Sequence, residues 1–188
     1  MDVQKFKELE QELGTTLTIG MLDWYAISSN YHSLNEDFIR KYKGYVDWYA
    51  ISKFQRLSTT FIREFKDYVN WDSIYQYQTL DEDFIREFSD KVDWGFISYY
   101  QKLSEPFIRE FKDKVVWDCI SSRQKLSEEF IREFQDKFDW RFISLNQKLS
   151  EPFIREFKTK IWLRYVLENK NISTELKKII EEKIYKSE

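Results

Sequence analysis

The chain has 188 residues, 42% of them hydrophobic and 34% charged, with a formal net charge of −3. That is enough for one folded domain, too apolar for a disordered chain, and without the positive excess that draws a protein to nucleic acid. A single cysteine, Cys119, and a single histidine, His32, exclude an internal disulfide and argue against the usual His/Cys metal centres and Cys–His nucleophile pairs.

Residues 1–20 carry Val3, Phe6, Leu9 and Leu13 at helical steps and predict an N-terminal capping helix. From residue 21 a repeat takes over. Trp24, Trp48, Trp71, Trp94, Trp117 and Trp140 are spaced 24, 23, 23, 23 and 23 residues apart. Leu34, Leu57, Leu80, Leu103, Leu126 and Leu149 step by 23, and Ile172 continues the series. Self-similarity at a fixed short period marks a solenoid, whose units bury their apolar faces only against their neighbours.

Each copy predicts two short helices of about 8–10 residues, too short to be stable alone. In the copy starting at Leu57, Phe61, Ile62 and Phe65 fall on one helical face. Ser58, Asp81, Ser104, Ser127, Ser150 and Ser173 stand where N-caps are wanted, and Pro106 and Pro152 fall in first turns, where a missing N–H costs nothing. Asp23, Asp47, Asn70, Asp93 and Asp139 precede their tryptophans and read as N-caps of the second helix; Val116 is the exception. After Glu156 the pattern slips, since Trp162 follows Trp140 by 22 residues, and a Lys- and Glu-rich end reads as a C-terminal cap. The expected fold is all-α, an α-solenoid of tandem two-helix repeats. One domain spans 1–188, with a cap over 1–20, repeats over 21–162 and a cap over 163–188.

Counted from the Trp of each second helix, positions +3 (Ile), +4 (mostly Ser) and +7 (mostly Gln) barely change, whereas +1, +2, +5 and +6 vary. At about 100° per residue the two sets lie on opposite faces. The variable set is rich in Tyr, Phe, Arg and Asn, the composition of an interface rather than of a solvated face. The candidate partner-binding residues are Tyr25, Tyr49, Lys53, Phe54, Asp72, Gln76, Tyr77, Phe96, Tyr99, Tyr100, Arg123, Arg141 and Asn146. A second column, Arg40, Arg63, Arg86, Arg109, Arg132 and Arg155, reads as structural. Its expected partners are Asp or Glu of the same or the adjacent copy, for which the recurring Asp67, Asp90, Asp113 and Asp136 are candidates. The competing reading is a basic ladder for phosphates, helped by Arg56, Lys102, Lys125 and Lys148.

No Gly-rich phosphate loop, HExxH or GxSxG string occurs, so the expectation is a non-enzymatic protein without metal or cofactor. No run approaches the roughly 18 apolar residues of a membrane span, and no apolar signal core opens the chain. A cytoplasmic location and no membrane partner are expected. The strings Leu103-Ser104-Glu105-Pro106-Phe107-Ile108-Arg109-Glu110-Phe111 and Asp139-Trp140 … Ile143-Ser144 … Gln147-Lys148-Leu149 resemble a short tandem repeat of uncharacterised proteins from giant DNA viruses and some phages. The resemblance covers about residues 22–160. It implies a viral or phage origin and a role against a host factor, in the host cytoplasm, and implies no catalytic residue. The expected function is a protein-binding scaffold, in its most concrete form a binder and inhibitor of a host defence protein. The alternatives are a single-stranded nucleic-acid binder, which the net charge disfavours, and a small-nucleotide sponge.

Overall fold

The computed structural model describes residues 3–14, 16, 23–30 and 34–185; His32 lies outside them. Every regular element among these residues is helical, and the repeating helix pairs pack successively as an α-solenoid. The chain divides into two compact units, Met1–Gln78 and Thr79–Glu188.

In the N-terminal unit, α1 (Val3–Leu13) precedes α2 (Trp24–Asn30), α3 (Glu36–Lys41), α4 (Trp48–Phe54), α5 (Thr59–Glu64) and α6 (Trp71–Tyr77). The C-terminal unit holds α7 (Glu82–Glu87), α8 (Trp94–Tyr100), α9 (Glu105–Glu110), α10 (Trp117–Arg123), α11 (Glu128–Glu133), α12 (Trp140–Asn146), α13 (Glu151–Glu156), α14 (Leu163–Glu168) and α15 (Thr174–Ile179), closed by a π-helical turn at Ile180–Tyr185. The even-numbered helices form the stacked ribbon. In the N-terminal unit α2 packs on α4 and α4 on α6. In the C-terminal unit α8, α10, α12 and α14 pack in order.

The helices are shorter than the pattern predicts, at six or seven residues. Helices α4, α6, α8, α10 and α12 end at the +7 glutamine, and α3, α5, α7, α9, α11 and α13 end at their second aromatic residue, Tyr42 in the first and Phe in the others. Phe65 ends α5 at φ −111° and ψ 26°, and its N–H still bonds Phe61 O at 3.0 Å. The chain then closes a tight turn in which Val69 N–H donates to Phe65 O at 3.1 Å. The first Phe and the Ile beside it are the core: Phe61, Ile62, Phe84, Ile85, Phe107, Ile108, Phe130, Ile131, Phe153 and Ile154 are fully buried. Burying each such side chain contributes about 1.5–3 kcal/mol, which holds helices too short to persist alone.

The predicted caps form. Ser58, Asp81, Ser104, Ser127, Ser150 and Ser173 each accept from the N–H three residues on. So do Asp23, Asp47, Asn70 and Asp93, while Asp139 accepts from Arg141 N–H and Val116 has no side chain to offer. The register also survives at the C-terminal end. Helix α14 starts at Leu163, which takes the tryptophan position, and Trp162 falls on the cap position, 53% exposed.

The constant polar residues are spent on stacking. The +7 glutamines are buried, and their amides bond the backbone of the preceding repeat. Gln124 Oε1 accepts from Leu103 N–H at 3.0 Å, and its Nε2 donates to Ser98 O at 3.2 Å and Gln101 O at 2.8 Å. Gln78 makes the same three bonds to Leu57 N–H, Ser52 O and Gln55 O, and Gln147 makes them to Leu126 N–H, Ser121 O and Gln124 O. Asn169 continues the column through Ser144 O and Gln147 O. These amides satisfy carbonyls that a helix C-terminus leaves without intrahelical donors. The +4 serines bind both ways: Ser121 Oγ donates to Trp117 O at 2.7 Å and accepts from Asp139 N–H at 3.1 Å.

The arginine column is paired with acids of the adjacent copy, as the structural reading expects, and those acids are glutamates rather than the candidate aspartates. Arg40 reaches Glu64, Arg86 reaches Glu110, Arg109 reaches Glu133 and Arg132 reaches Glu156, at 2.8–2.9 Å. Each guanidinium also lies about 5 Å over the core Phe of the next repeat, such as Arg109 over Phe130 at 4.9 Å. The recurring aspartates instead serve lysines, Asp90 holding Lys114 and Asp136 holding Lys160. The tryptophans are half-buried. The indoles of Trp48, Trp94, Trp117 and Trp140 pack on the core Phe pair of the following repeat and donate to a carbonyl five residues back, as in Trp94 to Ser89 O at 3.0 Å.

Candidate functional site

With the constant face committed to stacking, the even-numbered helices present most of the variable positions outward, except that +2 is buried at Ala50 and Ser73 and half-buried elsewhere. Equivalent residues on packed helices lie about 8–10 Å apart, so neighbouring copies contribute to common clusters.

In the N-terminal unit, Tyr25, Tyr49 and Tyr77 are 49%, 47% and 48% exposed, and Phe54 is exposed beside them. Lys53 of α4 gathers them. Its Nζ lies 5.6 Å from the Tyr49 ring centre, 5.1 Å from Phe54 and 5.3 Å from Tyr77 of α6. It donates to Tyr49 Oη at 3.4 Å, and this bond holds the ammonium above its ordinary titration range. A cation held over several rings gains about 0.5–1 kcal/mol at an exposed site. Asp72 is exposed on the same α6, and Gln76 is half-buried.

In the C-terminal unit the cluster is built on α8 and α10. Phe96 stacks on Tyr100 at 5.8 Å, and Tyr100 meets Tyr99 edge-on at 4.7 Å. Arg123 of α10 lies flat against Tyr99, its Cζ 3.8 Å from the ring centre. Gly95 takes the position that Tyr25 and Tyr49 fill in the first copies. Asp93 Oδ1 accepts from both Gly95 N–H at 2.8 Å and Phe96 N–H at 3.1 Å, and a Cβ on Gly95 would stand 3.0 Å from that oxygen. The missing side chain leaves an open groove of about 330 Å³, with Phe96, Tyr99, Tyr100 and Cys119 in its wall. Burial pushes the Cys119 thiol up, with Asp118 adding to the effect, so the group is a neutral lining atom. A second groove of about 450 Å³ lies on the other side of Tyr99 and Tyr100 and includes Lys102, Leu103, Arg123 and Lys125.

Two predicted site residues have other duties. Arg141 forms a two-pronged pair with Asp139, at 3.0 Å from Nε and 2.6 Å from Nη2, and so braces the cap of α12. Asn146 is half-buried, and its backbone carbonyl accepts from Asn171 Nδ2 at 2.7 Å. In the N-terminal unit the predicted positions are therefore aromatic around Lys53; in the C-terminal unit they are aromatic and cationic on α8 and α10 and ionic at Arg141 of α12.

The sequence reading missed Tyr45 and Tyr68. Both are exposed, Tyr45 stacking on Trp24 at 5.5 Å and Tyr68 on Trp48 at 5.3 Å. They stand three residues before a tryptophan, where later copies have Lys91, Lys114 and Lys137, and that Tyr-for-Lys exchange was the available signal.

Among the described residues no group of His, Cys, Asp and Glu is placed to hold a metal ion, and no helix is long and apolar enough to cross a membrane. No family model, curated protein or solved structure matches the chain.

Proposed function

We propose that this chain is a non-enzymatic scaffold whose ligand is another protein, gripped by the variable face of the even-numbered helices. One observation carries the reading. The recurring Ser and Gln are consumed in stacking, whereas the positions that differ include exposed aromatics gathered around Lys53 and Arg123. Tyrosine offers a large, rigid, amphipathic contact at low entropic cost, and an aromatic–cation mixture is the composition of binding hot spots. The resemblance to viral and phage repeats extends the proposal to a host factor as the partner.

The experiment compares capture of proteins from an extract of the native cell by the parent chain, by Tyr99→Ser/Tyr100→Ser and by Tyr68→Ser. The proposal expects the double variant to lose the captured partner by several kcal/mol, on the order of a hundredfold or more, with Tyr68→Ser unaffected. Loss with Tyr68→Ser and retention by the double variant places binding on the opposite edge and refutes the assignment.

A further inference from the structure

The geometry points to an extended acidic peptide segment of a partner protein as the occupant of the α8–α10 face in the C-terminal unit. The inference rests on the protein-scaffold reading above and adds the chemistry of the ligand.

Every arginine of this unit except Arg123 has an acidic partner, namely Arg86, Arg109, Arg132, Arg141, Arg155 and Arg164, and so do Lys114 and Lys160. Lys102, Lys125 and Arg123 form no ion pair among the described residues. All three are exposed, and they line one groove with Tyr99 and Tyr100, in a wall that contains no acidic side chain. The nearest acids by sequence, Glu105 and Glu128, are engaged elsewhere, at the N–H groups of Ser127 and Ser150. Unpaired cations gathered in one groove, in a chain of net charge −3, call for an external anion.

Arg123 makes the site directional. Its guanidinium is pinned face-on by the Tyr99 ring at 3.8 Å, so its N–H edges point away from that ring. A stacked guanidinium loses little freedom when it takes a carboxylate in a two-pronged bond. The same stacking argues for a peptide over a nucleic acid. Single strands bind by laying bases on free ring faces. Here Arg123 covers a face of Tyr99, Phe96 stacks on Tyr100, and Tyr99 takes an edge of that cluster.

Spacing supplies the register. Lys102 and Lys125 occupy the same place in successive copies, about 8–10 Å apart if they follow their stacked helices. A segment in the extended polyproline II conformation has three residues per turn and rises about 3.1 Å per residue, so every third side chain returns to one face about every 9 Å. The ligand is accordingly an extended segment with an acid at every third position and an apolar side chain between them, seated against Tyr100.

The test is fluorescence anisotropy on the full chain with labelled peptides of one composition. In one, glutamates stand at every third residue around a leucine; in the other, they are clustered at one end. An oligo-dT strand of equal charge is the third probe. The spaced peptide is expected to bind at least about tenfold more tightly than the clustered one and than the strand. Lys102→Glu/Lys125→Glu is expected to weaken it by about tenfold or more, while the charge-matched Lys112→Glu/Lys137→Glu stays within about twofold. Equal loss in both variants reduces the effect to overall charge and overturns the site. Preference for the strand assigns the groove to nucleic acid, and no binding of the spaced peptide by the parent overturns the acidic ligand. If the peptide fails while Tyr99→Ser/Tyr100→Ser still abolishes partner capture, the ligand chemistry falls and the scaffold reading stands.

Discussion

Tyr42 occupies a place that Phe65, Phe88, Phe111, Phe134 and Phe157 hold in the other copies. The ring is fully buried against Phe38 at 4.7 Å, and its hydroxyl finds no hydrogen-bond partner among the described residues. Burial also pushes its titration upward. A buried hydroxyl left unpaired costs about 1–3 kcal/mol, and the consensus residue differs only by that oxygen. Tyr42→Phe is therefore expected to stabilise the chain by about 1 kcal/mol, seen as a higher urea midpoint with an unchanged slope. A lower midpoint would mean that the hydroxyl has a partner and that this copy departs from its neighbours for a reason.

The second helices share one start, and α10, like α14, lacks a capping side chain. Val116 already sits at φ −91° and ψ 105°, close to Asn70 at −83° and 107°, and its N–H already bonds Ser98 Oγ at 3.0 Å. Only the acceptor is missing. Asparagine is the right replacement, because Asp118 follows two residues later and Asn70-Trp71-Asp72 shows the same arrangement in another copy. Val116→Asn is expected to stabilise by about 1 kcal/mol, measured by thermal or urea melts, and the gain should not depend on pH. The Asp139 cap behaves differently. The Arg141 hydrogen bond holds its carboxyl below the usual range, so its contribution is present above the unfolded carboxylate value and fades as pH falls through the lowered one. The caps were legible because they are local: a Ser, Asp or Asn three residues before an N–H is visible in a string. The partner of each arginine was not. Asp67 and Glu64 both recur once per copy, so periodicity could not rank them, and only the packed geometry selects glutamate at a separation of 24 residues.

The same locality divides the whole chain into what was and was not readable. The period, the two helices per copy and the opposition of constant and variable faces follow from spacing alone. The role of the constant glutamines does not, because a buried Gln that bonds backbone 21–27 residues away has the same spelling as a solvated one. These hidden bonds separate scaffold from surface in a measurable way. Gln124→Leu keeps the volume but strands Leu103 N–H, Ser98 O and Gln101 O, three buried groups at about 1–3 kcal/mol each. It is expected to lower stability by about 3 kcal/mol or more and to loosen neighbouring copies, since each repeat holds only by its neighbours. Replacing the exposed Tyr25, Tyr49, Tyr77, Tyr99 and Tyr100 by serine removes ring–ring and ring–cation contacts worth about 0.5–1.5 kcal/mol each at most and strands no backbone group. The five-fold variant is expected to keep its helical circular-dichroism signal and to lose no more than about 1 kcal/mol per site. Urea melts of the two variants side by side decide the matter. A five-fold variant that unfolds, beside a Gln124→Leu chain that melts like the parent, would show that the aromatic face is the core and the amide column is dispensable.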